Sequence, residues 1–414
     1  MNDSNAVSAA VSILSVETIG VRTQRILQAA YHGKISGLGI YPERLQTAVE
    51  WASAEIEKNY PDHQIPPLGC WRQFEAGAMD RWGMLAGARG FQSAEEMLRS
   101  AGDLAVLSAV MDVALRPEWT FVEPISGHAL NGALGRALAA LTMFAAGTFS
   151  AEPDDPLRVD AHALIRLEEA EIAAGLQLSE LDDSSEISLL TALLRRLGET
   201  IGLRPDLFEL NDEVRPGCLL QNLSTQSTDG VLHAPDMVDG LLDGLSPLWQ
   251  GGAMLDEVIL GDTWRHTSSV KAMAASDLVP FHLPALAIFY SFIEPLAWVG
   301  LSVDDLEAIP GLANLEHAAL FLACGAIEFE TDTPETSEKQ AVELRAITLG
   351  LLSELAKRLR SELDADETSL PLTCVQEGGT LPAGRAIARE NPEAWRKASK
   401  ILGGGGVFWL PFRA

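Results

Sequence analysis

Between Ala341 and Leu363 apolar residues return at helical spacing: Val342, Leu344, Ile347, Leu351, Leu352, Leu355 and Leu359 share one stripe, with Glu343, Arg345, Glu354 and Lys357 largely off it. A stripe of that length must be covered by other apolar surfaces, so the chain has to be built by packing helices. Ser337, ahead of Glu338 and Lys339, predicts the start of this helix. The run from Ser185 to Ile201 repeats the pattern, with Asp182 to Ser185 supplying capping oxygens. Asp236 to Trp249 and Asp103 to Leu115 are two more such windows. Strand-like alternation is nearly absent; Val407 to Phe412 is the best candidate, and it is short. The expected class is all-α, a compact multi-helix body with little or no β structure.

The 414 residues suffice for more than one lobe. Breaks fall at Tyr60–Gly69, Ala151–Pro156, Thr331–Glu335 and Gly403–Gly406, and there is no internal repeat. The organisation expected is one helical body over 1–414, with an N-terminal lobe at 1–155 and a C-terminal lobe at 156–414. Lys and Arg number 30 against 58 Asp and Glu, a formal charge of −28. That field repels nucleic-acid backbones and anionic membrane surfaces, and leaves a small anionic ligand only where local arginines receive it. The apolar stretch Leu283 to Leu301 contains Pro284, Glu294 and Pro295, which argue for a buried helix rather than a membrane span. Cys70, Cys218, Cys324 and Cys374 form no C-x-x-C pair, and Met1 to Gly20 lacks a signal-peptide pattern. Free thiols and a cytoplasmic location are the expectation.

Three segments could carry chemistry. Gly69 to Leu85 places Arg72, Glu75, Asp80 and Arg81 among Trp71, Phe74 and Trp82. Aromatic faces can stack on a ring while arginines hold a phosphate or carboxylate; the same residues also make an aromatic helix pair with a satisfied Arg–Asp pair. In Leu260 to His266 and Leu278 to His282, Asp262, His266 and His282 could supply a base, an acid and an orienting hydrogen bond, or a cap beside a solvated histidine. They are poor evidence of a metal, having a single i, i+4 pair. In Cys374 to Arg385, Gly378 and Gly379 beside Glu377 could cradle an anion or simply turn the chain before a helix. No Walker loop, dinucleotide fingerprint or H-E-x-x-H is present, and no cofactor is implied.

Together these segments resemble a family found in fungi and bacteria and linked to uracil catabolism. The similarity is carried by CWR-x-FE-x-G-x-x-DRW (Cys70–Trp82), PLRVDA (Pro156–Ala161), RPG (Arg215–Gly217), LGD-x-WRH, VPFH, YS-x-IEPL (Tyr290–Leu296), E-x-RA (Glu343–Ala346) and EGGT-x-x-AGR (Glu377–Arg385). The stretch from about Asp305 through E-x-RA is also similar to the queuosine-salvage family, an all-α nucleotide hydrolase of helix-hairpin-helix glycosylase-like fold. This second resemblance implies hydrolysis of the N-glycosidic bond of a pyrimidine ribonucleotide or its ring-opened derivative. Asp262 and His266 would then be catalytic. Trp71, Arg72, Asp80, Arg81, His282, Arg345, Glu377, Gly378 and Gly379 would bind the substrate.

The chain departs from what the resemblance implies at three places. Asn314-Leu315-Glu316-His317 stands where an acidic residue followed by Tyr-Arg-Asn is expected. Leu283 and Leu286 stand for Lys and Gln, and Gly132–Gly135 for Arg-Ser-Glu-Gly. These changes leave two readings open: an active hydrolase with an altered substrate, or an inactive paralogue that binds a ligand or pairs with a related enzyme. A homo-oligomer is compatible with both.

Overall fold

A computed structural model describes residues 10–112, 119–178, 184–255, 257–266, 275–331 and 337–403. The longer helices run, in chain order, α1 (Val16–Tyr31), α2 (Leu45–Asn59), α3 (Arg81–Arg89), α4 (Ala94–Met111), α5 (Gly132–Ala145), α6 (Ser184–Gly202), α7 (Gly217–Ser224), α8 (Ala234–Leu245), α9 (Leu283–Trp298), α10 (Leu315–Ala323), α11 (Glu338–Glu362), α12 (Leu381–Glu390) and α13 (Pro392–Leu402). The periodic windows read from the sequence correspond to α4, α6, α8 and α11. The class is mostly α, and among the described residues strands occur only as pairs of two or three residues, such as Thr263–Arg265 against Leu278–Pro280. The strand expected at Val407 to Phe412 lies outside the described residues, as does the proposed cap at Asp182 and Asp183.

Helix α11 shows how the pattern becomes packing. Ser337 accepts a hydrogen bond from the Gln340 amide and starts the helix where the sequence places it. The whole stripe from Val342 to Leu359 is buried against α1 and α2. Glu343 and Arg345, expected largely off the stripe, are also buried. Both are tolerated there because each has a charged partner: Arg345 meets Asp262, and Glu343 meets His266 and Lys339.

Helix α4 is deeply enclosed, and its Ala101, Leu104, Ala105, Val106, Leu107 and Val110 are all fully buried. It packs on α5, α7 and α9. Contact with α7 requires glycine on both sides. A Cβ on Gly102 would come within 2.9 Å of the Gly217 Cα, and one on Gly217 within 1.8 Å of the Arg99 carbonyl oxygen. Asp103 is sealed at this crossing. It accepts from the Gly217 and Val159 amides and from Arg215, so the buried charge is fully paired. One hydrophobic cluster runs from Val16 to Leu402.

Helix α9 is the buried apolar segment expected from Leu283 onward, with Pro295 in its last turn. No described helix is long and apolar enough to cross a membrane. All four cysteines are free thiols.

Candidate functional site

The sequence-derived candidates fall into three places. The first is the junction of α9 and α11. Asp262 is fully buried and accepts two hydrogen bonds from Arg345, at 2.8 and 2.6 Å, plus one from the Trp264 indole and one from the Leu283 amide at 2.9 Å. The carboxylate therefore caps α9 while clamping α11 onto it. Burial alone would raise its pKa, but the Arg345 guanidinium overrides that and holds it below the usual carboxylate range. Arg345 also lies over the Phe281 ring, 4.0 Å from its centroid. His266 bonds Glu343 at 3.0 Å. His282 takes a left-handed backbone at the start of α9, and its Nε2 donates to the Ile13 carbonyl. Burial pushes its pKa down to about 4, so the ring is neutral.

The second place surrounds Trp71. Arg72 is held by Glu75 and Glu294. Glu377 lies within electrostatic reach of Arg385 and Arg72, and burial pushes its carboxyl up to about 7. Gly378 and Gly379 do not form a turn. They belong to a π-helical stretch, Gln376–Thr380, packed on α2, where Cβ atoms would press on Ile65, Ile56 and Ala52. What those glycines allow is close helix contact, and their amides lie within the helical stretch. The third place is the start of α3. Asp80 caps it through the Gly83 amide at 2.8 Å, and Arg81 is buried in an ion pair with Glu123. Asp262, His266, His282 and Arg345 thus share one neighbourhood, and Arg72 and Glu377 a second, while Asp80 and Arg81 serve a separate helix start.

None of these charged side chains lines a further cleft, a cavity of about 170 Å³ where several helices meet. Its walls come from the Leu68–Gln73 turn, the end of α4 (Ser108, Asp112), the first turns of α5 (Ala133, Arg136), α9 (Leu283, Pro284, Ala287), the Leu312–Glu316 segment and α12 (Leu381, Arg385). Three helices, α5, α9 and α10, begin at these walls, which suits an anion because helix N-termini carry partial positive charge. Arg136 donates to Asp112 at 2.7 Å. Arg385 is exposed and makes no ion pair among the described residues. Asn314 accepts from the His317 amide at 3.1 Å and so caps α10. His317 is buried between the Leu312 carbonyl and the Thr380 hydroxyl, and burial holds its pKa down to about 4.

The departures noted in the sequence meet at this cleft. Ala133, Leu283, Asn314 and Glu316 all line it, while Leu286 is buried behind it. Sequence reasoning overlooked Arg136, Asp112 and Arg385 as cleft residues. Arg385 was within reach, since it closes the EGGT-x-x-AGR motif.

The profile of a family described as a protein of unknown function, DUF1688, matches residues 12–408. The chain belongs to this family. Among DUF1688-related proteins, it is 26% identical over 391 residues to "Protein urg3" of Schizosaccharomyces pombe, covering 91% of this chain and 93% of that one. It is likewise 26% identical over 409 residues to "Uracil catabolism protein 4" of Lachancea kluyveri, covering 88% and 90%. At this level of identity the chain is a divergent member of DUF1688.

Proposed function

We propose that the cleft binds a pyrimidine ribonucleotide or the derivative left when its ring opens, and hydrolyses the N-glycosidic bond. The supporting observation is that Arg385, Arg136, Asp112 and Glu316 gather in one cleft at the starts of three helices, in a relative of a uracil-catabolism protein. At about 170 Å³ the cavity is smaller than the ~300–1,000 Å³ of drug-sized sites, so it encloses only part of a nucleotide. Arg385 takes the phosphate, and the helix starts add to its pull. Asp112, fixed by Arg136, stabilises the positive charge that develops at the sugar carbon. Glu316 takes a proton from water as the water oxygen bonds that carbon. The carbon–nitrogen bond breaks, and the leaving nitrogen receives the proton that Glu316 took from water. The products are ribose 5-phosphate and the free base or its ring-opened form. In this reading Asp262 and Arg345 do not touch substrate; they set the start of α9, where Leu283 and Pro284 wall the cleft.

Incubation with uridine 5′-monophosphate and its ring-opened derivatives, following released ribose 5-phosphate, is the direct test. Release that disappears in Glu316→Gln, together with weakened binding in Arg385→Ala, is the expected result; absence of both release and binding would sink the reading. A second reading, an inactive paralogue that only binds the ligand, is favoured by the neutral Asn314 and the apolar Leu283, Pro284 and Ala287. Saturable binding without release would select it.

A further inference from the structure

A second cavity, of about 280 Å³, shares no lining residue with the cleft. Trp71, Trp82, Trp298, Glu75, Asp80 and Glu294 line it, and no cationic side chain does. Trp82 and Trp298 are stacked, with centroids 6.2 Å apart and ring planes 17° apart, and Trp71 meets Trp298 edge-on at 4.7 Å. The motif CWR-x-FE-x-G-x-x-DRW supplies several of these walls; only its Cys70 and Gln73 reach the cleft, and its tryptophans and acids have no role in the hydrolysis proposed above.

The charges are incompletely matched. Arg72 holds one oxygen of Glu75 and one of Glu294. The other Glu294 oxygen, Oε1, is buried without a hydrogen-bond partner. A buried carboxylate oxygen left bare is costly, and native structures keep few of them. Burial pushes the Glu294 carboxyl up to about 7, against the pull of Arg72 and with the added repulsion of Glu75. Among the described residues no three carboxylates, histidines or cysteines are placed to hold a metal ion, whereas aromatic faces attract an alkylated ammonium, which gives up its weak hydration readily. The chain's charge of −28 draws cations toward the opening.

We propose that this cavity binds a small organic ammonium ion, with its alkyl groups against the tryptophan faces and its charge beside Glu294. Calorimetric titration with choline tests this, set beside its neutral isostere, in which a tert-butyl group replaces the trimethylammonium. Choline should bind saturably and the isostere should not. Trp298 is 40% exposed at the rim, so Trp298→Ala removes a wall without opening the core. That change and Glu294→Gln should each weaken choline binding about tenfold, the scale of one desolvated cation–π contact. Glu316→Gln, in the other cleft, should leave it unchanged. No heat with choline, equal binding of the isostere, or undiminished binding in Trp298→Ala would overturn the proposal. The comparison of choline with its isostere decides the matter in the unmodified protein even if a variant fails to fold.

Discussion

Asp262 is a carboxylate with every acceptor position used, and this makes its substitution a stability experiment. Asp262→Asn keeps the size but removes the carboxylate charge that the buried Arg345 guanidinium pairs with. Breaking a buried pair in this way costs about 3–5 kcal/mol, which a urea titration should show as a lower midpoint with an unchanged slope. Asn314 offers the opposite case. Its side-chain oxygen caps α10, and aspartate caps equally well, so Asn314→Asp should change stability by less than ~0.5 kcal/mol. It also places a second carboxylate beside Glu316 in the cleft. If an acid is what the chain lacks, ribose 5-phosphate release should rise, by as much as ~10²-fold for a correctly placed group. An unchanged rate would mean that the apolar floor, and Leu283 in particular, limits the chemistry.

Among the elements, Gly384 ties the two sides of the cleft together. A Cβ there would lie 2.5 Å from the Glu316 carbonyl oxygen, so α12 can lie on α10 only because the position is bare. Gly384→Ala should force the helices apart at a cost of about 1–3 kcal/mol and shift Arg385 relative to Glu316. The expected result is a lower melting temperature together with weaker phosphate-ligand binding; a lower melting temperature alone would mean that α12 adapts without disturbing the cleft. Helices of this kind were legible in the sequence wherever one stripe met one core, as in α11 with its Ser337 cap. The burial of Glu343 and Arg345 was not, because it depends on His266, Lys339 and Asp262, and most of these partners lie far away in the chain. The π-helical Gln376–Thr380 was missed for a local reason. Adjacent glycines normally signal a turn, and only the packing of Ile56 and Ile65 against them shows that contact rather than flexibility selects glycine. The cleft was half legible: its altered positions could be read from the departures, but Arg136 and Asp112 carried no motif.

For the molecule as a whole, pH reports how burial and charge are balanced. Burial raises Glu294 and Glu377 to about 7, with Glu75 adding to both and Glu294 adding at Glu377, while Arg72 opposes in both and Arg385 opposes at Glu377. Between the ordinary carboxylate pKa of ~4.3 and about 7, the folded protein therefore holds more protons than the unfolded chain. Their contribution to stability is complete below the unfolded value and is lost as pH rises through about 7. His282 and His317 act in the opposite direction. Burial lowers both to about 4, so their contribution is present above the ordinary ~6.5 and is lost as pH falls toward 4. The wild-type profile is the sum of these opposed slopes, and a single melting curve cannot separate them. Glu377→Gln isolates one. The amide cannot ionise, so this variant should gain stability relative to wild type as pH rises from 5 to 8, with the difference growing fastest between the unfolded and folded pKa values, near pH ~5.7, and levelling off above 7. Calorimetric melting temperatures of the two proteins at matched pH measure that difference directly. A difference that stays constant across the range would show that Glu377 titrates like an exposed carboxylate.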